Sequence, residues 1–126
     1  MQPIKKVIRA SAILTSSYVA GEIIANAGGM DQLLLGIAFT KGSLTSMSIK
    51  IEFSMDGSTW YQETYEGASS SGVVSPEVFV RTYTANFAGV IAIPVMANYI
   101  KVSAIGTGTA TSSLLAIDSL LGKQSA

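Results

Sequence analysis

The segment from Met47 to Met55 constrains the fold more than any other stretch. Met47, Ile49, Ile51, Phe53 and Met55 are apolar, and Ser48, Lys50, Glu52 and Ser54 between them are polar. A period of two belongs to a strand with one face buried and the other wet. Asp56-Gly57 follows at once. An Asp-Gly pair suits a type I′ turn, whose twist matches that of the flanking strands, so Ser58 to Tyr65 is expected to return antiparallel. A two-residue loop would set Phe53 opposite Trp60 on the buried face and Lys50 opposite Glu63 on the wet face. Each such cross-strand pair is worth about 0.2–1 kcal/mol.

The rest of the chain has similar punctuation, with short apolar runs bounded by Gly, Ser, Thr and Asn and no long amphipathic period. Strands are expected at about 11–16, 18–25, 31–40, 45–55, 58–66, 77–84, 88–95, 97–105 and 110–120, although Tyr18 to Ile24 also fits one side of a short helix. Gly67 to Pro76, rich in small residues, reads as a surface loop, equally a plain connector or a contact loop. At 126 residues the chain has room for one domain. The fold expected is all-β, a single antiparallel β-sandwich or jelly roll of about eight strands over residues 11–122. A basic amino-terminal arm (1–10) precedes it and a short tail (123–126) follows.

Composition narrows the chemistry. With no Cys and no His, the chain lacks thiolate chemistry, the usual general base near neutral pH and the commonest metal ligand. Glu52 and Glu63 are the nearest approach to a glycosidase carboxylate pair, but they are expected on a wet face beside Lys50, where nothing raises a pKa. Asp56 has no run of oxygen ligands around it, and its Asp-Gly pair is explained by a turn. Gly106-Thr-Gly-Thr109 resembles a phosphate loop only superficially, because a strand and not a helix is expected after it, and a hairpin connection is the simpler reading. No enzyme, cofactor or metal is expected.

Lys and Arg number 8 against 8 Asp and Glu, and this zero net charge argues against nucleic acid as a partner. No apolar run approaches the roughly 20 residues of a spanning helix, and no secretory leader is expected. Lys5, Lys6 and Arg9 crowd the start, whereas Glu52, Asp56, Glu63, Glu66 and Glu77 follow one another with no cation between them. The two stretches read as solvated surfaces or as complementary contacts between copies. Tyr61 and Tyr65, expected to face outward, are further candidate contacts, and a sugar-stacking platform with Trp60 is their rival use. Trp60 itself is expected in the core.

Ser54-Met-Asp-Gly-Ser-Thr-Trp60 is similar to the S-x-D-G-x-x-W hairpin of discoidin-like β-sandwiches, and Ala97-Asn-Tyr-Ile-Lys-Val102 to a strand of that group. A broader pattern covers Asp31-Gln-Leu-Leu-Leu, Thr40-Lys-Gly-Ser43, Ile51-Glu-Phe-Ser-Met-Asp-Gly with Trp60, Ile93-Pro, Tyr99-Ile-Lys-Val-Ser and Gly106-Thr-Gly-Thr-Ala110. This order resembles small β-sandwich structural proteins of tailed bacteriophages. The resemblance implies a virion component, first a head decoration or cement subunit and next a tail, collar or fibre-associated one. Its partners would be copies of itself, as a dimer or trimer, and other virion proteins such as the major capsid protein. Lys5, Lys6, Arg9, Tyr61 and Tyr65 are the candidate partner contacts. A hydrophobic share of 48% with 13% charged residues agrees with a chain whose neighbours cover part of its surface. A discoidin-like carbohydrate-binding module is the alternative.

Overall fold

The computed structural model describes residues 4–26, 30–67, 75–95, 97–109 and 111–122. These form β1 (Ile4–Ala12), β2 (Val19–Ala20), β3 (Ile24–Ala25), β4 (Gln32–Thr40), β5 (Leu44–Ser54), β6 (Tyr61–Gln62), β7 (Thr64–Gly67), β8 (Ser75–Val78), β9 (Arg81–Tyr83), β10 (Phe87–Pro94), β11 (Tyr99–Gly108) and β12 (Leu114–Gly122). All pair antiparallel. One sheet, A, has the order β1-β12-β4-β10; the other, B, has β2-β11-β5-β6, with β3 also on β11 and β9 also on β5. β7 and β8 pair with each other.

Ten of the twelve segments fill eight strand positions of the sandwich, and β7 and β8 stand apart from them. β2 and β3 occupy one edge of β11, and β6 and β9 one edge of β5. Paired residue numbers add to 114 in β5–β6 and to 130 in β5–β9, so the edge strand is interrupted by a sixteen-residue excursion that contains β7 and β8. Glu63 and Arg81 clasp its base through two hydrogen bonds of 2.8 and 3.4 Å. The chain otherwise passes between the sheets as an eight-stranded jelly roll does, in agreement with the sequence. The core lies between the sheets. Leu33, Leu35, Ile37 and Phe39 of β4 with Leu115, Ile117 and Leu121 of β12 meet Met47, Ile49 and Ile51 of β5 and Ile100, Val102 and Ala104 of β11.

Several expectations are corrected. Residues 4–10, expected to reach out as an arm, are laid against Leu114–Gly122 within β1, because Ile8 is buried and Ser119 donates to the Lys6 carbonyl at 2.9 Å. Met1 to Pro3 and the tail at 123–126 lie outside the described residues, as do 68–74 of the Gly67–Pro76 loop. Tyr18 to Ile24 contains no helix. Gly106 to Thr109 ends no hairpin: β11 and the following β12 belong to different sheets, so the connection crosses the sandwich.

The Asp56-Gly57 turn also differs. Only Gly57 has a positive φ, of 86°, and Tyr61, not Trp60, stands opposite Phe53. The cause is a longer, side-chain-braced loop. The Ser54 hydroxyl accepts from the Gly57 N–H at 2.8 Å, and the Asp56 carboxylate accepts from the N–H groups of Ser58 and Thr59, both at 2.9 Å. A one-residue slip reverses the faces. Trp60 therefore leaves the core and lies half-buried beneath the Lys101 ammonium, 4.4 Å from its ring centroid, while Lys50 pairs with Glu52 at 3.8 Å instead of Glu63.

The same hydrogen bonds, Thr59 N–H first and Ser58 N–H next, hold the Asp56 pKa at about 2, below the ordinary carboxylate value of 3.8. A depressed folded pKa gives stability that is present above the ordinary value and lost as pH falls through about 2. The melting-temperature advantage of the wild type over Asp56→Asn should hold from pH 7 to 4 and shrink between pH 4 and 2. A constant difference across that range would contradict this role.

The turn from β4 to β5 depends on Gly42, at φ +57°. A Cβ there would lie 2.5 Å from the Ser112 carbonyl oxygen in the crossing from β11 to β12. Gly42→Ala is expected to cost about 2 kcal/mol in urea unfolding, from the left-handed backbone and the displaced neighbour together.

Candidate assembly face

The strand pairing of sheet A fixes which side chains share its outer face. Lys5, Leu120, Leu34 and Ala92 form one row across β1, β12, β4 and β10, and Val7, Asp118, Gly36 and Val90 form the next. Ala116, Ala38 and Ala88 follow, then Leu114 and Thr40. The register adds Gly122, Gln32 and Pro94 beyond the row of Lys5, so two charges, Lys5 and Asp118, stand among fourteen other residues, of which only Gln32 and Thr40 are polar. Val90 is 65% exposed, Val7 53%, Leu114 44% and Leu120 38%. Gly36 and the alanines keep the floor low, and an open depression of about 220 Å³ lies between Lys5, Leu34, Val90, Asp118 and Leu120.

The outer face of sheet B has the opposite character. Lys101, Glu52 and Gln62 share a row there, as do Ser48 and Thr82, whose hydroxyls are 3.0 Å apart. Its cations rest on aromatic rings, Lys101 on Trp60 and Lys50 on Tyr18, each 4.4 Å from the centroid. Such contacts desolvate the rings without a partner protein. The sandwich thus has one polar outer face with its own internal partners and one apolar outer face with none among the described residues.

The candidate contact residues are not gathered together. Lys5 borders the apolar face. Lys6 donates to the Ile23 carbonyl at 2.8 Å, and the Arg9 guanidinium donates to the carbonyls of Leu115, Ala12 and Ile13, so both are engaged by the chain's own backbone. Tyr61 stands exposed on the edge strand of sheet B. Tyr65 lies on β7, where its hydroxyl donates to Glu77 at 2.9 Å; this hydrogen bond, with the nearby charge, holds the phenol pKa above its ordinary value. Its ring meets Phe79 edge-on, 5.8 Å between centroids.

Sequence reasoning missed the outward residues of β4, β10 and β12. Their signal was the loss of alternation: Leu33-Leu34-Leu35 and Val90-Ile91-Ala92-Ile93 are apolar on both faces, unlike β5. Continuous apolar runs mark strands covered on both sides.

No protein-family profile matches the sequence, and no curated protein matches it. Solved structures share its fold. The PBSX exported protein XepA superposes with a TM-score of 0.67 at 10% identity, over 98% of this chain and 38% of that one. The SPBc2 prophage-derived protein YomS gives 0.55 at 14% identity, over 94% of this chain and 91% of YomS. A subunit of the Bacillus endospore appendages, described as a family of disulfide-linked pili, gives 0.54 at 11% identity, over 98% and 90%. The chain spans little more than a third of XepA's length.

Proposed function

We propose that this chain is a non-enzymatic structural subunit of a tailed-bacteriophage particle, first a head decoration or cement subunit, which lies with the outer face of sheet A on a neighbouring virion protein. The apolar, almost uncharged outer face of sheet A carries this reading. A soluble chain leaving such a face open forgoes burial worth about 25 cal/mol per Å², and a covering neighbour recovers it. Four strands about 4.8 Å apart, with side-chain rows about 6.8 Å apart, make the face roughly 500 Å². One contact of that size is weak, and a shell of many copies supplies the rest through multiplicity. Fold likeness to YomS, which is described as prophage-derived, to the exported protein XepA and to a pilus subunit supports the same class.

Particles purified by density gradient from the source cells, then separated into heads and tails, should carry the chain in many copies in the head fraction. Recovery in the tail fraction alone would favour the tail, collar or fibre-associated placement. Recovery only as free protein would overturn the reading.

A further inference from the structure

We infer that β10 is the edge through which two copies of this chain join, antiparallel, about a two-fold axis at Val90. The inference deepens the assembly reading above and rests on it for its biological setting; the contact itself follows from the strand.

Sheet A has two edges of different character. β1 carries Lys5, Lys6 and Arg9 and two breaks in register, devices by which edge strands resist pairing. β10 carries no charge, runs in unbroken register along β4 for all eight residues and has Pro94 only at its last position. The Val95 N–H donates to the Asp31 carbonyl at 3.0 Å, in line with the β4–β10 register. Odd-numbered residues of β10 therefore turn their backbone groups toward β4. Ala88, Val90 and Ala92 turn theirs outward, where no other described strand pairs with them. Such a row is a template for another strand.

The row also identifies the strand that fits. Ala88, Val90 and Ala92 read the same in both directions, so a copy turned about a two-fold axis presents an identical row. Val90 then faces Val90, and each Ala88 faces the other copy's Ala92. All three residues are of the hydrogen-bonding type, giving six N–H to C=O bonds across the axis. The same axis brings Gly89 opposite Ile91, and no charge meets a like charge. Pairing β1 with itself would set three cations against three. The resulting eight-stranded sheet joins the two apolar outer faces into one surface of twice the extent.

The absence of cysteine allows a direct test. In a hydrogen-bonded antiparallel pair the Cα atoms are about 5.5 Å apart, within disulfide reach. Val90→Cys should form a covalent dimer under mild oxidation, and Val7→Cys on β1 should not. Val90→Pro removes an N–H that β4 does not use, so its melting temperature should stay near wild type while sedimentation shows loss of the dimer. The inference is overturned by a wild type that sediments as a monomer at sub-millimolar concentration. It is equally overturned by a dimer that Val90→Cys fails to link and Val90→Pro fails to disrupt. A Val90→Pro monomer that still joins particles supports the β10 contact and leaves the assembly reading standing. A β10 dimer absent from particles supports the contact and sinks that reading.

Discussion

Ala38→Glu is expected to leave the chain folded and to lower its attachment to the particle by at least about a hundredfold. Ala38 is exposed on the outer face of sheet A, and its cross-strand neighbours Ala88 and Ala116 leave room for a longer side chain. In the free protein the new carboxylate is hydrated and costs little. Under a covering neighbour it loses that water, and Lys5, the one cation of the face among the described residues, is two strands and two rows away, about 17 Å and beyond the screening length. An unpaired buried charge costs about 3–5 kcal/mol, which is at least two orders of magnitude in occupancy. Competition between wild type and Ala38→Glu for a limited number of particles, read by mass spectrometry, measures the ratio. Ala38→Ser, which adds only a small hydroxyl, should lose far less.

Leu35→Ala and Leu34→Ala, one position apart, should differ by about 2–3 kcal/mol. Leu35 is fully buried between the sheets, so its truncation removes transfer free energy and leaves a cavity, about 3–4 kcal/mol in denaturant unfolding. Leu34 points from the same strand to the outer face and is half-open, so Leu34→Ala should cost about 1 kcal/mol or less. The effect on assembly should run the other way. Leu34→Ala should weaken particle attachment more than its stability loss explains, because it deepens the hollow a neighbour must fill. Equal stability losses at the two positions would mean that the outer face of sheet A is already part of the core.

The jelly roll was legible where one side of a strand is wet. Residue types alternate without a break from Met47 to Met55, and β5 ends at Ser54, just before Asp56 and Gly57. Its pairing partner was misread because Ser54 and Asp56 brace a loop longer than the two-residue turn, and a shift of one residue moved Trp60 from the core to the outer face of sheet B. β1 was hidden by its cations: Lys5, Lys6 and Arg9 look like a solvated arm, whereas Lys6 and Arg9 are held by backbone carbonyls and Ile8 anchors the strand. The assembly face was least legible for a physical reason. A face covered by another protein has the composition of a core, so Leu34, Ala92, Val90 and Leu120 in the sequence look like residues facing inward. Only the pairing of β4 with β10 and β12 separates them from Leu33, Leu35 and Ile37.

Thiol accessibility in the assembled particle tests the central claim most directly. Ala116→Cys on the outer face of sheet A and Ser48→Cys on the outer face of sheet B would each supply the chain's single cysteine. In the purified protein both should react readily with a maleimide. In the particle, Ala116→Cys should become at least tenfold slower while Ser48→Cys keeps its rate. Protection of Ser48→Cys with Ala116→Cys left open would contradict the assignment and make the polar face the one that meets the particle.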